Sequence, residues 1–120
     1  EQVALLNKKL LATLDAIVQQ SPDPPIVILQ GDHGPGSGLW WGDPNYERSV
    51  ERTDTQERMG ILNAYYFPDR DYRRLYEGIT PVNTFRVIFN QYFGTALSLL
   101  EDRSYFSTWH HPYRLRDVTE

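Results

Sequence analysis

The stretch PPIVILQGDHGPGSGLWWGD, Pro24 to Asp43, changes character within a few residues. Ile26 to Leu29 form an apolar run without alternation, the pattern of a strand covered on both faces. Just beyond it, Asp32 and His33 stand between Gly31 and Gly34. Consecutive strand residues point to opposite faces, so this pair can share one ion only where the chain leaves β geometry. Glycine on both sides permits that bend at little steric cost. The carboxyl end of a strand in an α/β sheet is also where ligands bind. A carboxylate oxygen and an imidazole nitrogen suit zinc, manganese or a similar divalent ion. Two ligands are too few for a tight site. The plainer reading, an Asp that caps a turn beside a His with a local hydrogen bond, stays open.

Upstream, Val3, Leu6, Leu10, Leu14 and Ile17 recur at helical spacing, widened by Leu11 and Val18, and predict an amphipathic helix over residues 2–20. Ser21 and Pro22 end it. No capping residue precedes it, as if the chain were cut inside or just before a helix. A helix followed by a buried strand places the chain in the α/β class.

Downstream, residues 34–54 are rich in Gly, Pro, Asp, Asn and Ser and read as a long functional loop or lid, in which Trp40 and Trp41 either cap the core or line a binding surface. Ile61 to Phe67, ILNAYYF, stops at Pro68 and reads as a second buried strand. Thr80 as a cap and Pro81 at the first helical position open a helix that Gly94 closes, with Val82, Phe85, Ile88, Phe89 and Tyr92 on one face. A last short strand is expected near Ser104 to Ser107.

Other chemistries in the same stretch are weaker. GPGSG resembles a phosphate-cradling loop, but no Lys-Ser or Lys-Thr follows, and Trp40-Trp41 stands where a helix should open. Ser37, His33 and Asp32 supply the residue types of a hydrolase triad at a spacing that rarely achieves the relay geometry. His110-His111 beside Pro112 reads more simply as solvated than as metal-binding. Ten of the twelve basic residues are arginine, which suits sulfate or phosphate, yet Arg48, Arg52 and Arg58 stand among Glu47, Glu51, Asp54 and Glu57 and can pair locally.

With 120 residues the chain suits one domain, and its net charge of −4 argues against a nucleic-acid partner. No run approaches the length of a bilayer span, so the segment is expected to be soluble. Absence of cysteine removes disulfides and thiolate chemistry but does not locate the protein.

Taken in order, IVILQGDHG (Ile26 to Gly34), RMGILNAYYFP (Arg58 to Pro68), LYEGITPVNTFRVIFNQYFG (Leu75 to Gly94) and LLEDRSYF (Leu99 to Phe106) resemble the C-terminal part of sulfatase-like proteins of the alkaline phosphatase superfamily, which includes membrane-anchored phosphoglycerol and lipoteichoic-acid-type transferases. The resemblance implies an α/β fold, the C-terminal fragment of an alkaline-phosphatase-like sandwich with few strands and flanking helices, residues 1–120 forming a single partial domain. It further implies that Asp32 and His33 ligate a divalent metal ion (manganese, zinc, calcium or magnesium) that polarises a phosphate or sulfate ester. Family members carry the Ser or Thr nucleophile and a further acidic ligand upstream, and nothing before Asp32 matches them; Thr13 and Ser21 offer hydroxyls outside any suitable motif. The expectation is therefore a fragment silent on its own, partnered by the upstream half of its domain, prone to self-association, and belonging to a protein on the extracytoplasmic side of the membrane. The alternative is a non-catalytic binding domain that keeps the scaffold.

Overall fold

A computed structural model describes residues 1–39 and 52–119. In chain order the elements are α1 (Gln2–Gln20), β1 (Val27–Gln30), α2 (Arg52–Met59), β2 (Asn63–Tyr66), α3 (Pro81–Tyr92), β3 (Tyr105–Phe106) and β4 (Arg116–Asp117). This is a mixed assembly of helices and short antiparallel strands, in keeping with a small α/β unit. The chain divides into two compact units, one formed by Glu1–Leu29 with Ala64–Tyr72 and the other by Gln30–Asn63 with Arg73–Glu120. Trp40, Trp41, Glu47, Arg48 and Glu51 lie outside the described residues, and with them the middle of the expected loop and any pairing of Arg48.

In the first unit, α1 ends where expected: Ser21 turns to extended backbone, and both its N–H and its Oγ donate to the Ile17 carbonyl. The expected apolar stripe is only half used. Leu10, Leu14 and Val18 are half-buried, whereas Val3, Leu6, Leu11 and Ile17 are exposed, so no residue of α1 is fully buried. β1 and β2 are hydrogen-bonded neighbours. All four residues of β1 are half-buried, a weaker covering than the apolar run suggests. β2 is shorter than the ILNAYYF run because Phe67 leaves the strand to form the local core. Phe67 is completely buried, stacks on Tyr72 at 5.2 Å, and donates its N–H to the Tyr72 hydroxyl. A turn makes this possible: Asp69 Oδ1 accepts from the Asp71 N–H, and Arg70 between them takes a left-handed φ of 55°.

In the second unit, Gly31 N–H donates to the Leu62 carbonyl and Gln30 Nε2 to Asn63 Oδ1. The end of β1 thus meets the start of β2, which fixes the pair as antiparallel. β3 and β4 pair antiparallel with Tyr105 opposite Asp117 and Phe106 opposite Arg116, whose guanidinium lies 5.5 Å above the Phe106 ring. Leu39 and Phe106 form a small core with Met59 and Val118 against it.

α3 departs from its sequence reading in the face it buries. The expected stripe is largely outward: Val82, Phe85 and Phe89 are exposed, and Phe85, Phe89 and Phe93 form a ladder of ring contacts at 6.2 and 5.8 Å. The buried side is Asn83, Thr84, Val87 and Ile88. A polar side chain can lie inward because the neighbouring extended segment satisfies it. Asn83 accepts from the Leu100 N–H and donates to the Leu100 carbonyl, and Asn90 does the same to Leu97 two turns further on. Arg86 donates to the Ser98 carbonyl between them. Gly94, at φ 65°, then turns the chain in a conformation that glycine adopts without strain.

At the other end of α3, Thr80 is the N-cap residue, but its hydroxyl does not cap the helix as expected. Asp102 accepts from the Thr80 N–H, the Thr80 hydroxyl and the Tyr76 hydroxyl. Burial works to raise the Asp102 pKa, and the hydrogen bonds from Thr80 and Tyr76 outweigh it and hold the pKa at about 2. A folded-state pKa below the unfolded value of 3.8 stabilises the fold at and above the unfolded value, and that contribution is lost as pH falls towards 2. Urea midpoints measured from pH 5 to pH 2 are expected to fall further in the natural chain than in Asp102→Asn, and parallel profiles would contradict the assignment.

Candidate metal and anion site

Asp32 and His33 follow directly on β1, in the second unit. The strand ends at Gln30, so the two side chains are freed from opposite faces and converge: His33 Nε2 lies 3.5 Å from Asp32 Oδ2. Asp32 Oδ1 accepts from the His33 N–H at 2.9 Å, which holds the carboxylate against the turn. Asp32 is largely exposed and the His33 side chain about half exposed, at 49%. Two donor atoms each about 2.1 Å from one ion at a tetrahedral angle stand roughly 3.4 Å apart. The observed separation therefore fits a shared divalent ion. The ring Nδ1 lies 2.9 Å from the Gly34 carbonyl oxygen, which would support a ligating histidine in the tautomer protonated at Nδ1.

The loop that carries the pair is fastened to the last turn of α2. Gly34 N–H donates to the Arg58 carbonyl at 2.8 Å, and the Glu57 carboxylate accepts from the Ser37 N–H and Oγ. The approach is so close that a Cβ on Gly34 would lie 2.0 Å from the Glu57 carbonyl oxygen and 2.6 Å from that of Gly60. This is the specific reason for glycine after the histidine; the bend alone is not. The same contacts dispose of two rival readings. Ser37 is committed to Glu57 and not to His33, so no Ser–His–Asp relay forms, and the Gly34 and Ser37 amides are spent internally and not presented to a phosphate.

Arg58 is the site residue that the sequence did not reveal. Its NH1 lies 2.6 Å from His33 Nδ1 and donates to the Gly34 carbonyl at 3.0 Å. Its setting among acidic residues suggested a surface ion pair, and the signal that pointed elsewhere was its position at the head of RMGILNAYYFP. Asp32, His33 and Arg58 line a cleft of about 360 Å³ whose wall mixes apolar residues such as Met59, Ile61 and Phe106 with the hydroxyls of Ser104, Tyr105 and Ser107. Among the described residues no group of three or more histidines and carboxylates gathers to hold an ion. His110 and His111 lie exposed between β3 and β4, where the His111 N–H donates to the Thr108 carbonyl.

Among the described residues no helix is long and apolar enough to cross a membrane. No family model matches the chain, and comparison with curated proteins and with solved structures finds no match.

Proposed function

We propose that the chain is the C-terminal part of a sulfatase-like, metal-dependent hydrolase or transferase that acts on phosphate or sulfate esters. The observation that supports this reading is the convergence of Asp32 and His33 to 3.5 Å at the end of β1, beside an arginine and in a cleft. Asp32 Oδ2 and His33 Nε2 would hold the divalent ion, and the Gly34 carbonyl would orient the imidazole. When bound, the ion supplies Lewis acidity toward an ester oxygen. Arg58 adds a cation with the planar fork that suits a tetrahedral oxyanion. The nucleophile and remaining ligands belong, in this reading, to the upstream half of an alkaline-phosphatase-like sandwich on the extracytoplasmic side of the membrane. That half would also cover apolar side chains such as Val3, Leu6 and Leu11, which are more than half exposed; without it they favour self-association.

The test is a Mn²⁺ titration followed by paramagnetic broadening of amide signals. Broadening centred on residues 31–34 and 58, and lost in both Asp32→Asn and His33→Ala with helix content unchanged, is the expected result. Broadening that is absent or centred elsewhere would remove the metal reading.

A further inference from the structure

We propose that the loop joining β3 to β4 is a membrane-contact element: it seats Trp109, Tyr113 and Leu115 in the interface of an anionic lipid surface, where Arg114 and Arg116 meet the headgroup phosphates. This contact needs neither an ion at Asp32 and His33 nor an upstream half of the domain. Trp109 keeps 86% of its surface in solvent, Tyr113 96% and Leu115 63%, and the first two are the most exposed large apolar side chains among the described residues. One such side chain is ordinary on a protein surface, whereas three on one short loop mark an interaction site. The loop is also shaped by the fold. Pairing of Tyr105 with Asp117 and of Phe106 with Arg116 closes its base, and Thr108, 8% exposed, roots it. Two successive turns follow, in which the His111 N–H donates to the Thr108 carbonyl and the Arg114 N–H to the His111 carbonyl. Pro112 takes the second position of the latter turn, which its fixed φ suits. These turns hold both aromatic rings out in water.

Charge decides the kind of partner. Between Asp102 and Asp117 the sequence has three arginines and no carboxylate. Arg103 is taken up by Glu101 at 2.9 Å and by Asp117 at 3.1 Å, and Asp117 also accepts from the Thr119 N–H. Among the described residues no carboxylate pairs with Arg114 or Arg116, both of which are exposed. A chain of net charge −4 thus carries a local positive excess on the loop that bears its most exposed aromatic rings. Tryptophan and tyrosine, each with an apolar body and a polar tip, favour the membrane–water boundary, and arginine can lay its stem along apolar surface with its head at the phosphates. The negative potential of anionic lipid complements that charge. A second copy of the chain fits less well, because paired loops would set like charges against one another. α1 also leaves apolar side chains outward, but it has no aromatic residue, and Glu1 and Asp15 offset Lys8 and Lys9. Three apolar side chains and two arginines make a reversible contact, well short of an anchor.

The experiment is co-sedimentation of the chain with vesicles of equal parts phosphatidylcholine and phosphatidylglycerol, and with vesicles of phosphatidylcholine alone. Binding to the anionic vesicles is expected, with that to the neutral ones weaker by about 20-fold, the contribution of two arginines. Salt at about 1 M should remove most of the difference. Arg114→Gln should weaken anionic binding about 5-fold. The double variant Trp109→Ala, Tyr113→Ala should abolish it, with an unchanged urea midpoint because these rings touch little of the fold. Equal binding to both vesicles overturns the proposal. So does full binding by the double variant, and if Leu6→Ser with Leu11→Ser then loses it, the contact belongs to α1. Dimerisation without lipid that the double variant lacks, in a natural chain that ignores both vesicles, would make the loop a contact between copies and overturn the proposal as well.

Discussion

Gly34→Ala is expected to detach the loop bearing Asp32 and His33 from α2. The new methyl group would have to share space with two carbonyl oxygens, those of Glu57 at 2.0 Å and Gly60 at 2.6 Å. Neither can rotate away as a side chain would, because both belong to the backbone at the end of α2. The loop or the helix end must move by more than an ångström, which breaks the 2.8 Å bond from the residue 34 N–H to the Arg58 carbonyl and carries Arg58 away from His33. Forced overpacking of this kind costs about 3 kcal/mol. A matching fall in urea stability is expected, with faster amide exchange at residues 34 and 37 and loss of the Mn²⁺ response. Unchanged exchange at residue 34 would show that the loop does not pack this closely on the end of α2.

Asn83→Ala should be the most damaging change on α3. Asn83 is completely buried, and its amide serves three partners: the Leu100 N–H, the Leu100 carbonyl and the Tyr76 hydroxyl. Alanine leaves the two backbone groups to find water and loosens Tyr76, which itself hydrogen-bonds Asp102. The expected cost is about 2–3 kcal/mol in urea unfolding. Asn90→Ala, at a half-buried position with a similar clamp on Leu97, should cost about 1 kcal/mol. Equal losses at the two positions would show that burial does not govern the strength of the clamp.

These positions also mark the boundary of what could be read from sequence. α1, β1 and β2 were legible because each carries an apolar pattern of its own: a helical stripe in the first and unbroken runs in the others. α2 was not, since RTDTQERM holds one apolar residue, Met59, and has no stripe to detect. Its contacts with the loop, through Glu57 to Ser37 and through the Arg58 carbonyl to Gly34, tie it to residues some twenty positions away. α3 was legible as a helix but not in its orientation. Apolar periodicity assumes that apolar side chains face inward, and here Asn83 is inward because a backbone segment answers both ends of its amide. β4, only Arg116 and Asp117, gains its identity from pairing with β3 and has no pattern of its own. In the site, Asp32 and His33 were legible as neighbours at a strand end. Arg58 was not, because only tertiary structure brings residues 25 positions apart to one imidazole.

The two clamps on α3 carry a consequence for how the sequence can drift. Asn83 and Asn90 grip peptide groups, which every residue supplies, and Leu97, Leu99 and Leu100 keep between 40% and 50% of their surface exposed. Substitution at these three leucines should therefore be nearly free, with proline barred at 97 and 100, where the gripped N–H is needed. The asparagines have no such latitude, since aspartate lacks the donor and glutamine reaches too far. Among descendants of this chain, the helix should keep its two amides while the strand of residues it holds turns over, so that the least variable letters of the stretch are polar and the most variable are leucines.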